Sequence, residues 1–526
     1  MYIKHSILLL IFIFLCSRAG FSQPWYFNEV YNPNTTWAAG LSIIGTETGY
    51  FGCAISGDSI SGYYYNTSTF LIDQEGEITS WKNFGKDGCD FWPGDNGALT
   101  KNDDCFGLFG TVQDFLNETL YGLFFKFDYL GDTILTRTFK RTDSDSTLVG
   151  RSCTTTNDGG FALLGNVTGN SIHEKDNILI KTDFYGIELW RKQFGTDSND
   201  WANSIIQTVD NGYAIGSWTR IGSQSITADP VIFKTDSLGN LEWSVNLGGP
   251  FLDGKAMLCN SLDSSIIVLT SYADSMIVPG YAYTRTNIVK LNLQGEILWN
   301  KKYKNSQTLN YISNIICMDN GGFMACGNAA ISVQLPRAGW LFRFNSDGDS
   351  LWYRDYFYYP EDPVYGLNYL DDIAITSDNG FVSVGQAYTV YPPNNIQKMW
   401  VLKVDSVGCE IENCWVGIEE PGSGEAREQG SGEVGKQGGL VIWPNPVSGG
   451  VLSVKCLGLS SGISCSLSVF DIFGRLAPIP GPCPIRGKGD VVVWTIDVSS
   501  LPPGIYIAVV KDGNTVLESA KFVVAR

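Results

Sequence analysis

The chain has 526 residues, of which 44% are hydrophobic and 13% aromatic, so a folded core is expected and disorder of the whole chain is excluded. Only 17% of the residues are charged, and 36 basic against 54 acidic residues give a formal net charge of −18, which argues against broad binding to nucleic acid or anionic membranes. Only two histidines are present, His5 and His173, and His5 lies in a segment that we expect to be removed, so a multi-histidine metal site is excluded.

The first 22 residues have the organisation of a secretory signal peptide. An apolar run from Ile7 to Leu15 follows a basic start, and small residues continue as far as Ser22, after which we expect cleavage. The run is too short for a membrane span, and no other segment approaches ~18 uninterrupted apolar residues, so we expect no transmembrane span in the mature chain. Cys16 leaves a lipoprotein signal as the alternative, although such signals resemble one another in carrying Gly or Ala where Leu15 stands.

One segment, for example FKTDSLGNLEW, recurs seven times at intervals of 53 to 60 residues, which is the signature of a repeat architecture. In each copy glycine follows a turn-forming polar residue by three positions, and these polar residues are Asp73, Asp128, Asp183, Asp236, Asn292, Asn345 and Asp405. Each repeat resolves into four short β-patterned runs without an amphipathic helix. The chain is therefore predicted to be all-β, with a seven-bladed β-propeller over 23–418.

A tryptophan follows the turn residue by seven positions in four copies, as at Trp190 and Trp243. This pattern resembles the tryptophan docking motif of quinoprotein-type propellers and, more loosely, the Asp-box hairpins of sialidases. Both resemblances imply blade construction, because neither quinone ligands nor a sialidase arginine cluster can be identified. The sequence also lacks a phosphate-binding loop, a C-x-x-C pair and an EF-hand loop, so we predict no cofactor and no metal.

Loop lengths favour one face of the predicted propeller as a binding face. The turns after the first and third strands of each blade share one face and are short, whereas the variable segments 85–97, 271–286, 356–372 and 387–398 share the other. We call this second face the variable-loop face, and binding groups commonly lie on such loops. Its candidate ligand-binding residues are Trp92, Tyr356, Tyr358, Tyr359, Tyr365, Tyr369, Asp371 and Asp372.

Aromatic rings beside carboxylate acceptors suit a polysaccharide or surface glycan, so we predict a non-catalytic binding module. The alternative for the aromatic residues is that they pack their own loops. The alternative function is a secreted polysaccharide-degrading hydrolase, which would hold two carboxylates ~5–9.5 Å apart on this face. No two acids are selected by the sequence, and His173 is expected to be a solvent-exposed loop residue rather than a base.

Without Cys16 the chain has twelve cysteines, an even number that permits disulfides without defining their pairing. Cys317 and Cys326 flank a hairpin turn and are predicted to pair. A Cys409–Cys414 bridge would require a turn, because a straight strand would separate the two residues by ~16 Å. For the other eight cysteines, free buried thiols are the alternative.

The ends of the repeat region are predicted to meet. The seventh copy lacks the tryptophan, and 25–44 resembles 190–206, where a fourth strand leads into the first strand of the next blade. We therefore predict that Trp25–Tyr31 pairs with Trp400–Val404 and completes the last blade, which leaves no unfinished inner edge.

Segment 419–439 is rich in Gly and Glu and has no hydrophobic period, which predicts a flexible linker. The β-patterned runs of 440–526 predict a small Ig-like β-sandwich. Its motifs WPNP, VFDIFGR, IDVSSLPPGIY and KFVVAR resemble the type A C-terminal sorting domain of the type IX secretion system. The residues that carry the resemblance are Pro444, Asn445, Pro446, Gly474, Arg475, Gly504, Tyr506 and Lys521.

This resemblance implies Sec export, recognition of 440–526 by the type IX machinery, and release or attachment of the passenger at the cell surface. The expected location is extracellular or on the outer-membrane surface. The alternative is an unrelated adhesion domain. The DGGF and DGGY repeats resemble those of uncharacterised propeller-like passengers of such domains, and that resemblance implies no activity.

Overall fold

A computed structural model divides the chain into two compact units, Met1–Gly408 and Cys409–Arg526, each of which is described by itself. The described residues are 26–32, 35–57, 64–95, 98–140, 147–168, 175–220, 228–249, 251, 253–278, 281–303, 309–330, 337–358, 366–389, 397–410, 439–443, 451–457, 465–471, 484–486, 491–498, 501, 504–512 and 515–524. They form β-strands and contain no helix, so none of them belongs to a helix able to cross a membrane.

The first unit is a seven-bladed β-propeller. Strand β1, Phe27–Tyr31, precedes blade 1, which comprises β2 (Ala38–Gly45), β3 (Gly49–Gly57), β4 (Tyr65–Asp73) and β5 (Ile78–Phe84). Blade 2 has a divided first strand and comprises β6 (Cys89–Trp92), β7 (Leu99–Lys101), β8 (Phe106–Asp114), β9 (Thr119–Phe127) and β10 (Thr133–Phe139). Blade 3 comprises β11 (Thr147–Thr155), β12 (Phe161–Thr168), β13 (Lys175–Thr182) and β14 (Glu188–Phe194).

The remaining blades follow the same antiparallel order. Blade 4 comprises β15 (Asn199–Gln207), β16 (Tyr213–Arg220), β17 (Ala228–Thr235) and β18 (Leu241–Asn246). Blade 5 comprises β19 (Ala256–Asn260), β20 (Ile266–Val278), β21 (Tyr281–Leu291) and β22 (Ile297–Tyr303). Blade 6 comprises β23 (Leu309–Cys317), β24 (Phe323–Ala330), β25 (Arg337–Phe344) and β26 (Ser350–Tyr356). Blade 7 begins with β27 (Gly366–Ile375), β28 (Phe381–Thr389) and β29 (Lys398–Val404).

The recurring polar residue closes the turn between the third and fourth strands of its blade. Asp236 Oδ1 accepts hydrogen bonds from the backbone N–H groups of Leu238 at 2.9 Å and Asn240 at 2.8 Å. Gly239 adopts a positive φ of 78°, which glycine tolerates without strain. Asp183 makes the same two bonds in blade 3, so the structural role predicted for these residues agrees with the geometry.

The docking tryptophans pack between neighbouring blades. A Cβ added to Gly239 would lie 2.5 Å from the Trp190 ring of the preceding blade, and one on Gly295 would lie 2.9 Å from Trp243. Each tryptophan thus rests against the turn glycine of the next blade. Trp299 and Trp352 contact Gly348 and Gly408 in the same way.

An ion pair between a buried lysine and a more exposed aspartate, not predicted from the sequence, joins the first turn to the third strand in four blades. In blade 4 the fully buried Lys234 lies 2.9 Å from Asp210, and its Nζ also donates to the carbonyl of Thr235. The other pairs are Lys181–Asp158, Lys290–Asp263 and Lys403–Asp378. A buried charge requires such a partner, so these lysine and aspartate residues of the repeat motif serve blade construction.

The predicted closure of the ring is confirmed. Strand β1 pairs antiparallel with β29, with Phe27 opposite Lys403 and Tyr31 opposite Met399. Phe27 takes the ladder position of the docking tryptophans, as Trp190 lies opposite Lys181, and it packs against the turn glycine of blade 1. Trp25, which began the predicted strand, lies outside the described residues.

The predicted Cys317–Cys326 disulfide is wrong. Cys317 instead bonds to Cys259, with a Cα–Cα distance of 5.9 Å, and joins the innermost strands of blades 5 and 6. The hairpin places Phe323 opposite Cys317, whereas Cys326 lies opposite Asn314 and is a free buried cysteine. Cys414 lies outside the described residues, so the Cys409–Cys414 proposal is untested; Cys409 is buried.

The second unit contains two antiparallel sheets. One sheet has the order β30 (Gly439–Trp443), β31 (Val451–Leu457), β34 (Val491–Asp497) and β33 (Pro484–Arg486). The other has the order β32 (Cys465–Asp471), β35 (Gly504–Asp512) and β36 (Thr515–Val524). Gly504 begins β35, Tyr506 is buried and Lys521 lies in β36. The other residues that carry the resemblance to a sorting domain, and most of the predicted linker, lie outside the described residues: Pro444, Asn445, Pro446, Gly474, Arg475 and 419–438.

Candidate functional site

The innermost strands carry β-bulges at one level of the ring. A register shift marks one extra residue in the innermost strand of blades 1, 3, 4, 6 and 7, namely Leu41, Arg151, Asn203, Ser313 and Asp371. In blade 2 the first strand is divided at this level, between the end of β6 at Trp92 and the start of β7 at Leu99. Because a bulge re-aims its side chain and bends its strand, this level is where the repeat departs from regular blade geometry.

A cavity of about 230 Å³ lies at this level beside blades 1, 2 and 3. Its described lining residues are Leu41, Ile55, Trp92, Pro93, Gly94, Asp95, Thr111, Val149, Gly150 and Arg151. Trp92 ends β6, and 93–95 follow it. The other lining residues occupy the early part of β2 and β11 and the later part of β3 and β8, which are the parts next to the variable-loop face. The cavity therefore belongs to the half of the ring that carries the variable loops.

An ion pair forms the polar side of this cavity. Arg151 Nη1 lies 3.1 Å from Asp95 Oδ1, and Arg151 Nε donates to Asn166 Oδ1 at 3.3 Å. The backbone also fixes the pair, because the N–H of Asp95 donates to the carbonyl of Arg151 at 2.8 Å. Gly94 precedes Asp95 with a φ of 91°, and a Cβ there would lie 2.7 Å from the Arg151 carbonyl oxygen, so only glycine fits.

Aromatic residues recur two positions before the bulge level. Four blades carry one at this position of the innermost strand: Trp92, Trp201, Tyr311 and Tyr369, which we call the inner-strand aromatic set. Because the ladder register is equivalent in these blades, their side chains lie on the same side of each sheet as Trp92, which lines the cavity.

Neighbouring rings extend this set. Trp201 stacks on Trp218 with ring centroids 4.2 Å apart, and Tyr369 stacks on Tyr388 at 6.2 Å. Sequence reasoning missed Trp201, Trp218 and Tyr311, because they lie inside β-patterned runs rather than in variable segments. The sequence signal that could have identified Trp201 and Tyr311 is an aromatic residue at the same position of the first strand in four blades.

The structure distributes the predicted site residues among different environments. Trp92 lines the cavity and Tyr369 belongs to the inner-strand aromatic set, as described above. Tyr356 instead ends β26 and is buried, and its hydroxyl donates to the carbonyl of Gly408 at 2.7 Å. Tyr358 is half-buried against the blade core. Tyr359 and Tyr365 lie outside the described residues.

The predicted acceptor Asp372 is a buried structural residue. Its carboxylate accepts hydrogen bonds from Ser42 Oγ at 2.6 Å, the Ile43 N–H at 2.8 Å and Asn314 Nδ2 at 2.6 Å. Burial raises the pKa of Asp372. Because these donors come from blades 1 and 6, Asp372 ties blade 7 to both neighbours; the adjacent Asp371 is the buried bulge residue.

Other carboxylates on the variable-loop face anchor the connections between blades. Asp253 accepts hydrogen bonds from the backbone N–H groups of Gly249 and Ala273. Burial raises the pKa of Asp253 to about 6; the two N–H bonds act to lower it, and the charge of Asp229 acts to raise it. Asp200 has the equivalent place one blade earlier, where burial likewise raises its pKa. Neither carboxylate is among the described cavity-lining residues, of which Asp95 is the one acid.

The described part of the chain contains no group of three or more His, Cys, Asp or Glu residues that could hold a metal ion. His173 lies outside the described residues.

No protein-family model and no curated protein matches the chain. Among solved structures it is similar to a mutant puromycin hydrolase, with 10% identity and a TM-score of 0.45 over 81% of this chain and 60% of that one. The chain thus covers less than two thirds of the puromycin hydrolase.

It is also similar to the polysaccharide lyase Uly1, with 10% identity and a TM-score of 0.42 over 74% of this chain and 93% of that one. It is similar as well to the β-propeller domain of the trilobed protease from Pyrococcus furiosus, with 9% identity and a TM-score of 0.35 over 68% of this chain and 88% of that one. These similarities concern the fold.

Proposed function

We propose that the propeller is a non-catalytic glycan-binding module and that 440–526 directs its export by the type IX secretion system. The observation that carries the first part is the cavity of about 230 Å³ with Trp92 in its wall and the Asp95–Arg151 ion pair on its polar side. Ligand pockets for drug-sized molecules occupy ~300–1,000 Å³. The smaller cavity suits one sugar ring of a glycan.

The lining matches the chemistry of a sugar. The apolar C–H face of a sugar ring would pack on the indole of Trp92 and on Ile55, while its hydroxyl groups would donate to Asp95 and accept from Arg151. The other three members of the inner-strand aromatic set, Trp201, Tyr311 and Tyr369, lie at the level of Trp92 in the ring and would contact further sugar units.

A binding role is favoured over hydrolysis by the number of acids at the cavity. Glycoside hydrolysis generally needs two carboxyl groups ~5–9.5 Å apart, and Asp95 is the one carboxylate among the described lining residues. The second candidate, a polysaccharide hydrolase, would need a second carboxyl group beside Asp95, and the described lining residues do not supply one.

The test of binding is Trp92→Ala on a glycan array, followed by calorimetry on the glycan that the parent binds. We expect affinity to fall about tenfold, because the loss of a stacked aromatic surface costs about 1.4 kcal/mol. The matched control is Tyr185→Ala, which removes an aromatic ring that is 61% exposed in a turn on the opposite face. Equal affinity of parent and Trp92→Ala would refute the cavity as the site.

The same samples separate the two candidate functions. Release of shorter saccharides by the parent would establish the hydrolase and overturn the non-catalytic proposal. Binding without any product over a day supports the binding module.

Export is tested by deleting 440–526. Its support is the set of ordered motifs at the end of the chain together with the strand content of the second unit. We expect the deleted protein to accumulate in the periplasm, and normal surface display or release would refute the proposal.

A further inference from the structure

We infer that Asp95 makes the cavity selective for uncharged sugars over acidic ones. The inference rests on the proposed glycan-binding function and names its ligand class. It starts from Arg151, which is the one cationic residue among the described residues of the lining. An unoccupied guanidinium in such a place would attract the carboxylate of a uronic acid, because arginine matches a carboxylate with two parallel hydrogen bonds.

Asp95 already accepts a hydrogen bond from that guanidinium. Its Oδ1 lies 3.1 Å from Arg151 Nη1, and Asn166 takes the Nε donor on the other side. A uronate that reaches the remaining N–H donors of Arg151 would lie beside the negative charge of Asp95, which is the repulsive element that a selective site needs. The formal net charge of −18 on the chain acts in the same direction at longer range.

A neutral sugar meets no such obstacle. Each hydroxyl group both donates and accepts, so one hydroxyl can donate to Asp95 while a neighbouring one accepts from Arg151 without breaking the ion pair. Both side chains are partly exposed, so their polar atoms remain accessible to a ligand. The pair therefore recognises hydroxyl groups and rejects carboxylates.

The backbone holds Asp95 in place independently of its charge. The N–H of Asp95 donates to the Arg151 carbonyl at 2.8 Å, and the conformation of Gly94 before it requires glycine. Asp95→Asn should therefore keep the loop in position while removing the negative charge. In this variant Arg151 gains freedom to bind a carboxylate.

The experiment measures Trp fluorescence or saturation-transfer NMR for the full chain with three matched pairs of methyl glycosides. The pairs are the gluco, galacto and manno sugars and their uronic acids, which differ only at C6. For Asp95→Asn we expect the affinity ratio of acid to neutral sugar to rise at least tenfold, and this gain should fall with added salt. It should disappear in the double variant with Arg151→Met.

The matched control is Asp132→Asn, which changes the net charge equally by removing the acid of the surface pair with Lys82. An unchanged ratio in Asp95→Asn, with an unchanged denaturation midpoint, would overturn the inference. Asp95→Ser provides a second charge-free variant if the asparagine variant is unstable.

The outcome separates this inference from the proposed function. If the parent binds no neutral glycan, the proposed function fails, yet a gain of uronate binding in Asp95→Asn still supports the masking of Arg151. If the parent binds acidic sugars as tightly as neutral ones, the selectivity is refuted while glycan binding stands.

Discussion

Phe27→Ala should weaken the closure of the propeller ring. Phe27 is 8% exposed and belongs to the cluster around Val401 and Met399, and it also packs on Gly76 in blade 1. Truncating a buried phenylalanine costs about 3–5 kcal/mol, and we expect the lower end because β1 is an outer strand that can relax. With a slope near 6 kcal/mol per molar guanidinium chloride, the unfolding midpoint should fall by about 0.5 M.

The assay combines chemical denaturation with hydrogen exchange of the β29 amides, Lys398–Val404. Phe27→Trp restores the residue found at this position in four other blades and should keep the parent midpoint. Trp190→Ala is the matched control, since it removes a docking ring within blade 3 and should leave exchange in β29 unchanged. A loss below about 1 kcal/mol, or unchanged protection of β29 in Phe27→Ala, would refute the dependence of closure on this side chain.

Three further predictions concern stability. Asp236→Ala should cost about 1–2 kcal/mol by losing two turn hydrogen bonds while glycan affinity stays unchanged, and a selective loss of affinity by calorimetry would contradict this role. Replacing Cys259 and Cys317 together by serine should cost about 4 kcal/mol in denaturation, because the bridge spans 58 residues; equal midpoints would show that the bridge does not form. The pKa of Asp253 is about 6 in the folded chain, above its unfolded value, so its contribution, at most about 3 kcal/mol, is present below pH 4 and is lost as pH rises through 6. Asp229→Asn removes the neighbouring charge and should flatten this slope in midpoints measured from pH 4 to 8, and an unaltered slope would count against the assignment.

The blades could be predicted from the sequence because their chemistry is local. A turn such as the one at Asp236 needs only an acceptor and a glycine three residues apart, and seven copies make that signal unambiguous. The closure by β1 was predictable although its partner is distant in sequence, because the seventh copy lacks the tryptophan of the other copies and 25–44 resembles 190–206; the residue in the tryptophan position is Phe27 rather than Trp25.

Features that join different blades could not be predicted in this way. The Cys259–Cys317 bridge and the bonds from Ser42 and Asn314 to Asp372 depend on which strands become neighbours around the ring. The segment 271–286 was interpreted as a variable loop, whereas most of it continues β20 and β21 as a long hairpin.

The candidate cavity was predicted only in part. Trp92 and Asp95 stood out in a variable segment, but Arg151 lies in a regular β pattern, and its position in the cavity follows from a bulge that the sequence does not announce. Tyr356 was assigned to the face because the end of β26 could not be distinguished from the loop after it.

Pairing of β1 with β29 sets the order of events when the chain is made. Trp400 Nε1 donates to Asn28 Oδ1 at 2.6 Å across 372 residues of sequence. The first partner is therefore made well before the second. During that time β1 and the flank of blade 1 stay unpaired, and a chain cut short anywhere before β29 never closes. An open ring exposes strand edges that favour proteolysis and aggregation. The pairing of β1 with β29 therefore protects complete chains and leaves truncated ones exposed.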